Sequence, residues 1–322
     1  MRIDILTLFP EMCEAVLSES ILKRARGAGL VEIHCRDIRP YTKDKHHRVD
    51  DSPYGGGFGL VMQAQPVYDC YRALCEELGK KPHLIYMSPA GQTLTQQRVK
   101  ALSKLDNLVL LCGHYEGMDE RVLEEIVDEE VSIGDYVLTG GELPALVLAD
   151  SITRMQPGVL AADEAFEKES HYSFLLEYPQ YTKPPVWHER AVPDILLTGH
   201  HGNIEHWQRQ QMLERTLERR PDLLEKAALT AADILYLRTF PKSRDCPFLT
   251  DRLADCVEDY VRTQKKVSPT SLQRKFKMEY ALAVRMLDIL EQRGVVSAYE
   301  KGKPRTVLPP QGEEYVEISE TE

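Results

Sequence analysis

Along the first half of the chain the spacing of apolar positions switches between period two and period three to four, which predicts strands and helices in alternation. Arg2–Leu8 alternates and then turns apolar, a first strand, with a helix starting near Pro10, where proline suits a first turn. Ser20–Ala28 reads as a helix and Leu30–Arg36 as a second strand. Val67–Leu78 is a helix, Leu84–Met87 a strand and Thr95–Leu102 a helix. The apolar runs Leu108–Leu111 and Ile126–Val131 read as buried strands, and Leu143–Met155 as a helix. This alternation through residue 150 predicts an α/β domain with a mainly parallel sheet. Residues 160–175 are acidic and lack a period, as a linker does. Residues 204–240 are strongly helical in pattern, and Arg209, Arg215, Arg219 and Arg220 on their polar faces either meet phosphates or form a solvated surface. Leu249–Thr263, Val267–Phe276 (opening with Ser268-Pro269) and Glu279–Arg293 (stopped by Gly294) are three more helices. Val295–Leu308 then reads as a two-stranded turn around Lys301-Gly302-Lys303-Pro304. Three helices and a hairpin spell a winged helix, a variant of helix-turn-helix.

The two apolar runs in the middle of the chain each enter a glycine-bearing loop. Gly113 and Gly117 follow the first; Gly134, Gly140 and Gly141 follow the second. Glycine permits positive φ and close backbone approach, and loops at the carboxyl ends of strands are where open α/β sheets bind ligands. The side chains on offer are Tyr115, Glu116 and Tyr136, which with backbone donors and acceptors suit a planar base and a ribose better than a triphosphate. No Gly-x-x-x-x-Gly-Lys-Ser/Thr loop occurs, and the Gly-Gly-Gly-Phe-Gly run at 55–59 lacks the spacing and context of a dinucleotide fingerprint.

Composition narrows the setting. The chain has 322 residues, enough for two or three domains, and ordinary apolar and charged fractions. The N-terminus has no signal-peptide pattern and no apolar run reaches membrane-spanning length, so the expected location is the cytoplasm. Seven scattered cysteines without a Cys-x-x-Cys suggest neither a disulfide framework nor a zinc site. A net charge of −11 argues against non-specific nucleic-acid binding by the whole surface. Two local patches oppose it: Arg36, Arg39, Lys43, Lys45, His46, His47 and Arg48 in 36–48, and a stretch at 261–277 with Lys and Arg but no acid.

The wording of particular segments is more specific than any of these patterns. Cys112-Gly-His-Tyr-Glu-Gly-Met-Asp-Glu-Arg121 and Ser132-Ile-Gly-Asp-Tyr-Val-Leu-Thr-Gly-Gly-Glu-Leu-Pro144 closely resemble the bacterial tRNA (guanine-N1)-methyltransferase family, TrmD. So do Leu8-Phe9-Pro10-Glu11-Met12, Val49–Gly57, Tyr86-Met87-Ser88-Pro89 and Tyr178-Pro179-Gln180-Tyr181-Thr182, and the resemblance runs in order over about residues 1–240. It implies a SPOUT methyltransferase domain with a deep trefoil knot over 1–160, a linker at 161–175 and a helical tRNA-binding domain at 176–245. A winged helix at 246–312 and an acidic tail at 313–322 would follow. It implies S-adenosylmethionine as methyl donor, held by Tyr86, Ser88, Pro89, Gly113, Tyr115, Glu116, Ile133, Gly134, Asp135, Tyr136, Val137, Leu138, Gly140 and Gly141. It also implies a homodimer in which the linker of one subunit covers the donor pocket of the other, tRNA as substrate, and magnesium dependence, although no protein ligand cluster for the ion is visible. Arg24, Lys45, His46 and Arg48 would touch the nucleic acid.

Methylating N1 of guanine requires a methyl held in line, a base for the N1 proton, and a cation or donor for charge developing on O6. In the family the base is the aspartate of an Asp-Ser-Phe motif in the linker. Here that position, counted without gaps from both flanks, holds Glu169, followed by Ser170 and His171, a departure from the pattern. Glu169 is the expected base, with Asp163, Glu167 and His171 as alternatives; Arg154 matches the family arginine for the guanine oxygen.

Val267–Gly294 resembles the gamma domain of FtsK-type DNA translocases. That makes Arg274, Lys275, Lys277, Arg285, Lys301, Lys303 and Arg305 candidates for phosphate contact with a further nucleic acid, beside the known use of winged helices in protein docking. Three readings follow: a methyltransferase marking the guanine immediately 3′ of the tRNA anticodon, a related knotted methyltransferase with another RNA target, and a non-catalytic S-adenosylmethionine sensor that binds nucleic acid.

Overall fold

The computed structural model describes residues 1–162 and 166–309. Asp163, the acidic tail and the last three residues of the expected winged helix therefore lie outside the described residues. The chain divides into a first compact unit, Met1–Glu167, and a second that begins at Lys168.

The first unit is built on a five-stranded parallel sheet of β1 (Arg2–Thr7), β2 (Glu32–Asp37), β5 (His83–Thr93), β6 (Asn107–Cys112) and β7 (Glu129–Ser132), in the order β2-β1-β6-β5-β7. Each central strand feeds two cores because successive side chains point to opposite faces. Ile3 and Ile5 of β1, Ile85 and Met87 of β5, and Leu108 and Leu110 of β6 pack under α1 (Pro10–Leu17), α2 (Ser20–Gly27), α4 (Gln96–Leu102) and α6 (Glu142–Thr153). Leu6, Leu84, Tyr86, Val109 and Leu111 pack on the other side under α3 (Ala64–Leu78) and α5 (Glu120–Ile126). Burial on both faces is why β6 reads as an unbroken apolar run rather than an alternation. One polar device crosses this core. Asp4, 1% exposed, accepts from Arg2 and Arg36, and both guanidiniums also hold Glu77 of α3, fastening β1, β2 and α3 together. Arg36 is thereby withdrawn from the basic stretch. The short hairpin β3 (Asp50–Asp51) and β4 (Val61–Met62) encloses the glycine run.

One strand expectation is corrected. Ile126 does not open a strand; it ends α5 and is buried on that helix, and β7 begins only at Glu129. An apolar run alone does not separate the last turn of a buried helix from the strand behind it.

The second unit has a single core gathered by helices. After a small hairpin of β8 (Val186–Trp187) and β9 (Arg190–Ala191) come α7 (His201–Arg219), α8 (Pro221–Leu224) and α9 (Ala231–Leu237). Then follow α10 (Phe248–Arg262), β10 (Lys266–Val267), α11 (Pro269–Phe276), α12 (Tyr280–Gln292) and β11 (Arg305–Thr306). Leu213 and Leu217 of α7, Leu253 and Val257 of α10, Leu272 of α11 and Leu287 and Leu290 of α12 share that core. Ser268 caps α11 in a reciprocal box with Ser271, as the Ser-Pro start predicts. The segment after α12 differs from a plain two-stranded turn. Val296 bridges Val307, but the regular pairing of β11 is antiparallel to β10, so the 266–267 segment adds an edge that its short polar-flanked sequence does not announce.

Candidate active site

The irregular stretch of β5 after Met87, where its register with β7 shifts, and the loops after β6 and β7 meet at the carboxyl edge of the first unit's sheet and enclose a cleft of about 530 Å³. Two glycines let them close on each other. A Cβ on Gly141 would lie 2.7 Å from Cys112 Cα and 2.9 Å from Gly113 N, and one on Gly113 would lie 2.6 Å from the Tyr86 hydroxyl. The Gly141 N–H donates to the Gly113 carbonyl at 2.8 Å, and His114 bridges Gly140, so the loop after β7 runs directly beside the loop after β6. Tyr115 holds a positive φ of 60° at this turn, a conformation that costs a non-glycine residue free energy and gathers at functional sites.

Every position expected to hold the donor, except Asp135, lines this cleft. Tyr86 is buried at its floor, and burial, with Glu130 nearby, pushes its phenol up to about 12, so it remains a neutral hydroxyl. Burial also raises the Tyr115 phenol, and Asp50 beside it adds to the effect. Burial raises the Cys112 thiol well above its ordinary value, which suits an inert packing group and not a nucleophile.

The residues that the sequence did not single out are as informative. Glu120, Glu130 and His114 also line the cleft, and among the described residues no lysine or arginine does. With Glu116 this is an acidic enclosure of backbone amides, hydroxyls and carboxylates. It disfavours a phosphate-bearing nucleotide and suits a nucleoside that carries positive charge, such as a sulfonium with an amino group; the residues fit S-adenosylmethionine. Burial along β7 does not alternate, and Glu130, Val131 and Ser132 all line the cleft, so the sequence carried no signal that singled out Glu130. His114 stands between Phe9 and Tyr115 at ring separations of 5.0 and 5.1 Å, and its Nδ1 is buried with no hydrogen-bond partner among the described residues.

The other expected site residues are distributed as follows. Arg154 caps the end of α6 in the first unit and is half-buried, with backbone bonds to Asp150 and Ile152. Glu169 belongs to the second unit, half-buried at the start of a compact turn. There Tyr172 N–H donates to the Glu169 carbonyl, Glu177 N–H to Ser170 Oγ, and His171 adopts φ 72°. Glu167 is exposed. Arg24, Lys45 and His46 are exposed, and Arg48 pairs with Asp44 at 3.1 Å. In the second unit, Arg274, Lys275 and Lys277 are exposed around the end of α11, with Lys275 Nζ 5.2 Å from the Tyr260 ring centroid. Three arginines that the sequence offers to phosphates are engaged instead. Arg209 holds Asp233 at 2.9 Å, Arg220 holds Asp222 at 2.7 Å, and Arg305 is 5% exposed between Asp288 and Glu291. A carboxylate two residues away, or on a facing helix, is invisible to a count of cations along the chain.

Among the described residues no group of three or more His, Cys, Asp or Glu side chains is placed to hold a metal ion, and no helix is long and apolar enough to cross a membrane.

Comparison with known proteins agrees with this geometry. A family profile described as tRNA (Guanine-1)-methyltransferase TrmD matches residues 1–226, and one described as the FtsK gamma domain matches residues 249–310. A tRNA (guanine-N(1)-)-methyltransferase of Ruminiclostridium cellulolyticum is 58% identical over 226 residues, covering 70% of this chain and 97% of the relative. Its counterpart in Chloroflexus aurantiacus is 55% identical over 241 residues, covering 74% and 95%. That of Halalkalibacterium halodurans is 49% identical over 245 residues, covering 76% and 100%. The chain belongs to the TrmD family of tRNA (guanine-1)-methyltransferases.

Proposed function

We propose that this enzyme transfers the methyl group of S-adenosylmethionine to N1 of the guanine immediately 3′ of the anticodon in tRNA. The observation that carries the donor assignment is the acidic cleft at the carboxyl edge of the sheet, which no cation lines among the described residues. When bound, the donor supplies an electrophilic methyl group; the chain's own residues do the rest. The loop backbones and Tyr86 orient the nucleoside, and the carboxylates of Glu116, Glu120 and Glu130 favour a positively charged ligand by proximity of opposite charge. Arg154 offers a cation to the guanine O6 as negative charge develops there. Glu169 accepts the N1 proton, with the longer glutamate arm in place of aspartate.

We infer further that the first unit is a SPOUT domain with a trefoil knot. The support is the passage of the 133–141 segment against 113–114, fastened by the Gly141–Gly113 hydrogen bond. The boundaries 1–160, 161–175, 176–245 and 246–312 are retained as the domain plan, with a helical tRNA-binding part and a winged helix in the last two. A homodimer completes the site. Its support is an exposed apolar surface on two neighbouring helices, Met12 and Val16 of α1 and Leu143 and Val147 of α6, each 44–47% exposed. Magnesium, in this reading, is held by RNA, donor and water.

The role of Glu169 is tested by methyl transfer from labelled donor to a tRNA transcript, native chain against Glu169→Gln, with donor affinity measured in both. Loss of transfer with donor binding retained is the expected outcome. Transfer that survives the substitution would move the base to Asp163, Glu167 or His171.

A further inference from the structure

The surface formed by α12 and the segment before β11 has no part in the donor cleft. On α12 the exposed stripe is Ala281, Arg285, Asp288 and Gln292, at helical spacing, with Tyr280 at its start 56% exposed. The buried Arg305 fastens this stripe to the segment that carries Tyr299–Pro304. Its guanidinium donates to Asp288, to Glu291 at 2.6 Å and to the Leu287 carbonyl at 2.9 Å, and lies 5.8 Å from the Tyr299 ring centroid. Two consequences follow. The turn is held as a wing beside the helix, and one of the two negative charges of Asp288 and Glu291 is offset from within. Glu300 and Lys303 cancel each other at 2.8 Å. Among the described residues, the ionic side chains left unpaired here are Lys277, Arg285 and Lys301 against Glu279; with the one carboxylate charge that Arg305 leaves over, the face stays positive by a single charge on a strongly acidic protein.

The helix is poorly equipped to read a base sequence. Recognition helices contact base edges with their N-terminal residues, using Arg, Lys, Asn or Gln. Here the exposed first turns offer Tyr280 and Ala281 and then a single donor, Arg285, with Gln292 two turns further on at the far end. A-form RNA asks for no such reading. Its major groove is too narrow for a helix, and its stems are recognised through phosphates and 2′-hydroxyls. We propose that this surface is a sequence-neutral clamp for the sugar–phosphate backbone of an A-form RNA stem, that of the substrate tRNA. Lys277, Arg285 and Lys301 take phosphates, and the Tyr280 and Tyr299 hydroxyls face the sugars. A second binding surface tethered to the catalytic unit raises affinity through effective concentration without altering the chemistry, and so offsets the repulsion between a net charge of −11 and a polyanion.

The proposal rests on the tRNA-methyltransferase reading, and its test separates the two. In the full chain, the double variant Arg285→Glu/Lys301→Glu alters exposed side chains outside the catalytic machinery. The expected result is a KM for tRNA raised about tenfold with kcat unchanged. The slope of log affinity against log salt should flatten by about 0.7–0.9 for each phosphate that the variant no longer neutralises. Anisotropy with labelled duplexes, which needs no turnover, should show the native chain binding an RNA duplex more tightly than a DNA duplex of the same length, and the variant losing that binding. Unchanged KM and salt slope would overturn the clamp. So would preference for the DNA duplex, which would make the surface a DNA reader, or indifference to both duplexes, which would leave it to a protein partner. Failure of the native chain to methylate tRNA, with RNA-duplex binding intact, would instead count against the parent reading.

Discussion

Glu130 shows what one side chain contributes to the choice of ligand. It lines the donor cleft together with Glu116 and Glu120, and among the described residues no cation shares the lining. Glu130→Gln is therefore expected to weaken S-adenosylmethionine about fivefold, the scale of one partly screened charge interaction. Binding of the uncharged thioether product S-adenosylhomocysteine should change much less; calorimetric titration of both ligands checks this, and an equal loss for both would mean that Glu130 acts through shape. The cleft was largely legible from the sequence because its walls are loops with distinctive wording, where backbone and glycine must occupy set places. Gly141, with no room for a Cβ, is such a position. The acidic lining was less legible, because Glu120 and Glu130 come from a helix and a strand whose charges look like solvated faces until the loops close over them. Ion pairing was least legible. Arg209 and Arg305 carry the same chemistry as any phosphate-binding arginine, and only the folded chain puts Asp233, Asp288 and Glu291 against them.

Among elements, the start of α9 carries a measurable pH dependence. Thr230 caps the helix and Asp233 completes a reciprocal capping box while also holding Arg209. Burial alone would raise the Asp233 carboxyl, but the Arg209 guanidinium and the Thr230 backbone N–H outweigh it and hold it below its ordinary value. A depressed folded pKa means the contribution is present above the unfolded value of about 4 and lost as pH falls through the lower folded value. Thermal melts should show the native chain losing stability from pH 5 to pH 3 more steeply than Asp233→Asn. At pH 7 that variant should be less stable by roughly 1–3 kcal/mol, because Arg209 is left without its carboxylate. Parallel melting curves for the two proteins would remove Asp233 as the source. Strands buried on both faces and helices with clear stops were readable in this way, element by element. The boundary at Ile126 and the pairing of β10 with β11 were not, since one depends on which buried surface a residue meets and the other on a partner some forty residues away.

At the scale of the molecule, the exposed apolar side chains of α1 and α6 argue for association. Val16→Glu and Val147→Glu should each yield a monomer by sedimentation, with methyl transfer reduced by more than about tenfold at concentrations where the native chain is dimeric. Full activity in a demonstrated monomer would refute the shared site. The family match stops at residue 226, and the FtsK gamma match occupies 249–310, so the chain joins a tRNA-methyltransferase part to a module outside the stretch that covers 97% of its Ruminiclostridium relative. The reaction itself is tested by methyl transfer from labelled S-adenosylmethionine to two tRNA transcripts that differ only in carrying guanine or adenine immediately 3′ of the anticodon, with the modified base mapped. Label confined to N1 of that guanine, and absent from the adenine transcript, is the predicted result. Equal labelling of both transcripts, or none of either with the donor bound, would contradict it.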